Sequence, residues 1–188
     1  PATFQTAADN ITFATGNIEL ADGSNLTVDT GATGGNIIIG EIGGTSVETV
    51  TLDAGTGTTS VGVIGSGTEI GTLSIGSVEN GGITLNGAIT TDGVITIDGP
   101  ITLATAAITI TTADDNINLQ GTVDGGKALT LASGSGVVTV DGAIGGSTAL
   151  TSLTVNSSGA GTIEITNIGT SSASGVTGAT AIGNTSTG

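Results

Sequence analysis

The sequence predicts an all-β, single-domain parallel β-solenoid, or β-helix, of about seven coils of ~22 residues, with three short strands per coil. Three observations carry that prediction. Apolar-x-apolar triplets recur at a nearly constant step along the chain. Turn residues, chiefly Gly following Asn, Asp or Gly, punctuate the triplets and tolerate the positive φ that sharp corners need. The composition of 35 Gly, two Pro and two aromatics (Phe4 and Phe13) in 188 residues disfavours helix and favours short strands.

The triplets fall into two interleaved series. The first begins at Ile18, Ile37, Val61, Ile83, Ile108, Leu129 and Leu153; the second at Leu26, Val50, Leu73, Ile95, Ile117, Val138 and Ile163. Steps within a series are 19 to 25 residues, and the offset between them is 8 to 13. A third, weaker series begins at Ile101, Val123, Ile144 and Ile168. By the two-residue alternation of a strand, each triplet turns two apolar side chains inward and its middle residue, most often Thr, outward. One coil cannot bury its inward row, but a second coil stacked at ~4.8 Å covers it and pairs the backbone. An antiparallel meander would explain the turns at Asn86-Gly87 and Asp92-Gly93, but not long offsets that recur throughout. The stretch "ITLNGAITTDGVITIDGPITL" is an oddity. Its Ile83, Ile89, Ile95 and Ile101 are six apart, so Ile89 is one apolar position more than a three-strand coil requires. Pro100 suits a corner or strand start, because it donates no ladder hydrogen bond.

The recurrent Ile, Leu and Val argue against disorder. The expected solenoid spans 1–170, and 171–188 is a Gly/Ser/Thr-rich tail suited to linking subunits. A first residue Pro1 in place of Met reads as a processed product or an excerpt. Sixteen acidic residues against the single base Lys127 give a formal charge of −15, which argues against nucleic acid and against anionic membranes as partners. No apolar run is long enough for a membrane-inserted helix. His, Arg, Cys and Tyr are absent, and with them the usual bases and nucleophiles, so no enzyme is expected.

The phrases "LTLASGSGVVTVDGAIGGSTALTSLTVNSSGAGTIEI" and "GGITLNGAITTDGVITIDGPITL" resemble the repeats of filamentous-haemagglutinin-like large bacterial surface adhesins. The resemblance is best over Ile83 to Ile168. It implies a right-handed parallel β-helix, an extracellular or cell-surface location, and a role as stalk or fibre. It implies no functional residue.

Asp114, Asp115 and Asn116 form the densest polar cluster, with oxygen ligands of the kind Ca²⁺ takes; a solvated corner built on Asx turns is the simpler account of them. Outward hydroxyls form two expected ladders, one of Thr84, Thr109, Thr130 and Thr154, the other of Thr51, Ser74, Thr96, Asn118 and Thr139. Such ladders suit surface glycans or, as a lesser alternative, an ice lattice. Lys127 is a candidate donor for an isopeptide bond, or simply a solvated corner. The expected partner is another copy of the chain, joined end to end into a homopolymer because uncapped terminal coils are templates for pairing.

Overall fold

The computed structural model describes residues 1–76, 81–159, 161–172 and 174–184. Among them every regular element is a strand. Nineteen strands form one sheet, wound into a three-faced prism in which all strand pairs named here are parallel.

The first face stacks β1 (Ala2–Gln5), β3 (Leu26–Asp29), β5 (Thr49–Asp53), β7 (Thr72–Ile75), β10 (Ile95–Ile97), β13 (Ile117–Leu119) and the first halves of β16 (Val138–Ile144) and β18 (Ile163–Ile168). The second stacks the first halves of β2 (Ile11–Glu19), β4 (Ile37–Gly43) and β6 (Thr59–Ile64), then β8 (Ile83–Leu85), β11 (Ile101–Leu103), β14 (Val123–Asp124) and the ends of β16 and β18. The third stacks the ends of β2, β4 and β6, then β9 (Ile89–Thr91), β12 (Ala107–Thr112), β15 (Ala128–Ala132), β17 (Ser152–Ser157) and β19 (Thr180–Asn184). Ala2, Leu26, Val50, Leu73, Ile95, Ile117, Val138 and Ile163 are successive rungs of the first face, and the other two faces are as tall. The steps between these rungs make about seven turns, a prism ~34 Å tall.

The expected fold is the observed one, and the core follows from the triplets. Val28, Ile37, Val50, Ile95, Leu131 and Val155 are wholly buried, while the middle residues between such pairs face out. Full burial of one such side chain is worth about 1.5–3 kcal/mol. Corners are pressed as tightly as the faces. A Cβ on Gly62 would lie 1.9 Å from the Gly40 carbonyl oxygen one coil below, so only glycine lets these two turns stack at ladder spacing.

Two sequence readings need correction. The first series mixes two faces: Ile37, Val61 and Ile83 lie on the second, whereas Ile18, Ile108, Leu129 and Leu153 lie on the third. The cause is the six-residue spacing. Ile83 stacks under Ile101, not Ile108, because the coil between them is only 18 residues long. The extra Ile89 is the third-face rung above Ile64. Within the segment read as a tail, Thr180–Asn184 is a strand paired with β17; residues 185–188 lie outside the described residues.

The wound ladder also contains an internal repeat. Residues 3–13, "TFQTAADNITF", match 109–119, "TITTADDNINL", and the correspondence continues strand by strand through Ile75 and Ile182. The corner hydrogen bonds repeat with it. Thr6 Oγ1 donates to the Asp9 carbonyl (2.6 Å) as Thr112 Oγ1 does to that of Asp115 (2.5 Å). Asn10 Oδ1 accepts from the Asn36 N–H (2.8 Å) as Asn116 Oδ1 does from Val137 (2.8 Å). Thr30 Oγ1 donates to Gly35 as Ser133 Oγ does to Gly136, each at 2.8 Å. We call 2–75 the lower module and 108–182 the upper one. Between them lie β8, β9, β10 and β11, the four strands of the six-residue spacing. The lower module crosses a face ten times and these strands four more, fourteen in all or four turns and two-thirds, so the upper module stands one face back: Ile11 starts on the second face, its equivalent Ile117 on the first.

Candidate functional site

The first face carries the longest outward polar row. Thr51, Ser74, Thr96, Asn118 and Thr139 stack in consecutive rungs, as their spacing predicts, and the row extends down through Thr27 and Thr3 and up to Glu164. The near-constant step between rungs made the row legible. Its lower flank is tied laterally: Thr72 Oγ1 donates to Thr49 Oγ1 (3.0 Å), and Gln5 Nε2 to Asp29 Oδ2 (2.9 Å). These bonds tie residues beside the row from one coil to the next, while the row hydroxyls themselves point outward.

The other predicted ladder divides. Thr109, Thr130 and Thr154 stack on the third face, but Thr84 lies on the second, between Ser60 and Thr102. The first face is therefore the only one of the two sequence-read rows that runs unbroken.

Asp114, Asp115 and Asn116 occupy the corner between β12 and β13. All three are exposed. Asp114 Oδ1 accepts from the Ser135 N–H and Asn116 Oδ1 from Val137, both at 2.8 Å. Each thereby ties its corner to a backbone donor of the next coil, in place of the Asx turn within its own loop that the sequence suggested. Among the described residues no group of three or more His, Cys, Asp or Glu side chains converges as a metal site. Lys127 is half-buried beside β15, and its carbonyl accepts from the Thr151 N–H (3.0 Å). Its ammonium forms no hydrogen bond or ion pair among the described residues.

Sequence reasoning passed over three features. The first is a shallow groove of about 320 Å³ along the edge between the second and third faces, lined by Asn17, Gly40, Glu41, Gly62 and Asn86. It exists because the glycines at this corner let the chain draw in. The second is Glu48, a carboxylate with no solvent exposure. Burial pushes its pKa up, but hydrogen bonds from the Thr45 hydroxyl and from the N–H groups of Thr45, Glu48 and Val47 outweigh this and hold the carboxyl below its ordinary 4.5. Glu48 ties down its own corner. A TxxE spacing at Thr45–Glu48 was the available signal.

The third feature is the set of exposed apolar side chains on the end coils, whose role in pairing the sequence had suggested without naming them. At the N-terminal end Phe4 and Phe13 pack edge to face with centroids 5.0 Å apart, and Phe4 remains 42% exposed. At the opposite end Ile168 and Ile182 are 39% and 45% exposed, though both occupy rungs whose counterparts above the first coil are buried. No protein-family model, curated protein or solved structure matches this chain.

Proposed function

We propose that this chain is a non-enzymatic extracellular structural protein, a fibre-forming subunit or stalk segment of a bacterial surface adhesin, assembling by end-to-end stacking of β-coils. The observation that carries the reading is that, among the described residues, no strand covers the coil at either end of a continuous parallel ladder. Such a coil leaves backbone donors and acceptors unpaired along three strands, which is a template for further parallel pairing. Repeat proteins that stay monomeric close their ends with polar caps; here Phe4, Ile168 and Ile182 stand there instead. The adhesin-like triplets favour the same role at the cell surface. The charge of −15 keeps the sides of neighbouring rods apart and leaves the ends as the place to associate.

Negative-stain electron microscopy of the purified chain, with and without Ca²⁺, tests this. Uniform filaments one prism wide are expected. Dispersed rods ~34 Å long at every concentration would remove the fibre reading. A second reading, a binding module for surface glycans, rests on the unbroken hydroxyl row of the first face. Glycan-array binding abolished by Thr96→Val would support it.

A further inference from the structure

The internal repeat places the same surface in two situations within one molecule. At the top of the lower module lie Val61, Ile64 and Ile75, exposed by 0%, 1% and 0%. Their equivalents at the top of the upper module are Ile165, Ile168 and Ile182, and the last two are 39% and 45% exposed. What covers the lower set is a parallel coil, β8 on the second face, β9 on the third and β10 on the first, in register with the strands below. The cover that this module top accepts is therefore another parallel coil with apolar inward positions.

The opposite end of the molecule is such a coil. Strands β1 and β2 run in the common direction across all three faces, pair upward to β3 and β4, and carry Phe4 and Phe13 at inward positions, in register with Val28 and Ile39. We propose that the N-terminal coil of one copy covers the C-terminal coil of the next. In this contact β1 lies on the first half of β18, the start of β2 on the end of β18, and the end of β2 on β19. Phe4 and Phe13 enter the opening rimmed by Ile165, Ile168 and Ile182. This rests on the fibre reading and adds its polarity: the contact is head to tail and heterologous, so it propagates and does not close. A head-to-head contact would run the paired strands antiparallel, a pairing absent among the described residues.

Two end-blocking variants test the polarity. Ile182→Asp spoils the C-terminal end and Phe4→Asp the N-terminal end; both sites are already over 40% exposed, and circular dichroism melts verify folding. Ile168→Asp provides a second C-terminal block on another face. Each variant alone is expected to stay monomeric, with sedimentable filament mass at least tenfold below that of the unmodified chain. Mixed in equal amounts, Ile182→Asp and Phe4→Asp leave one good end of each kind, and light scattering should report dimers and nothing longer. Dimers of either variant alone, or filaments that persist in all three, would overturn the proposal and leave the fibre reading standing. A monomeric unmodified chain would overturn both.

Discussion

The lower and upper modules share strand order and corner hydrogen bonds, yet they stand one face apart around the prism axis. What the rotation teaches is that the three faces are interchangeable at the core. Leu26 on the first face and its equivalent Leu129 on the third are each 1% exposed, amid ladders of Ile, Leu and Val. An aliphatic core with almost no aromatic residue has no shape that singles out one face. Individuality resides in the corners, where Thr6 and Thr112 close matching loops on different edges.

Deletions test this with the largest effect. Removing 89–94 takes out one strand of the linking stretch and pushes every later rung one face along, so Ile64 loses Ile89 and the corner above Ile70 loses Thr91. The apolar rungs tolerate that shift, with Ile95 standing over Ile64, but the tightly stacked corners no longer meet matching corners, so we expect the cooperative thermal transition to be lost. Removing 83–100 takes out a whole turn, since Ile83 and Ile101 share a face. Each later rung then keeps its face, and stability should fall only by the share of one coil in an additive stack. If the shorter deletion keeps a cooperative transition, the corners are as interchangeable as the faces; if the longer one unfolds the chain, the coils are not additive.

Exchanging equivalent residues comes next. Leu150, fully buried, stands in the upper module where Glu48 stands in the lower. Glu48 has Thr45 to bind it, but the corresponding N–H groups of Ser147 and Thr148 are already taken by Asp124 Oδ1, at 2.8 Å each. Leu150→Glu therefore buries a carboxylate without donors and should cost about 3–5 kcal/mol. Urea titration at neutral pH measures it; a loss under about 1 kcal/mol would mean that the upper corner can satisfy a carboxylate as the lower one does.

Much of this was readable before the coordinates, and the boundary of what was readable is physical. The first face could be read because every coil contributes a triplet at a step close to ~22 residues. Thr84 was misplaced because reading at that step from Ile83 leads past Ile101, the true neighbour, to Ile108. The repeat escaped notice because unequal corner loops make its offset drift, from 106 residues at Asn10 and Asn116 to 103 at Leu26 and Leu129. Exposure at the ends was hidden for another reason. Ile182 sits in a triplet-like sequence no different from buried ones, and only the stack reveals that it is 45% exposed with no described strand above it.

The smallest effects sharpen the comparison further. Glu48→Leu should cost within about 1 kcal/mol at pH 7, because exposed Thr45 finds water for the donors it loses. The acid side tells more. The folded pKa of Glu48 is depressed, so its stabilisation is fully present above the unfolded value of 4.5 and is lost as pH falls through the folded value. Against the unmodified chain, the variant should gain in relative Tm as pH drops below that value, and a constant difference would show that Glu48 is not held ionised. Thr59 is the mildest case. Its hydroxyl is buried with no hydrogen-bond partner among the described residues, at the position where the upper module has Ile163. Thr59→Val keeps the branched shape and removes the unpaired group, so a gain of about 1 kcal/mol is expected. The same change at Thr96, whose hydroxyl faces out in register with Ser74 and Asn118, should leave stability within about 0.5 kcal/mol. Equal effects at the two sites would mean that the Thr59 hydroxyl is hydrated in solution, and that the lower module opens to water where the upper one does not.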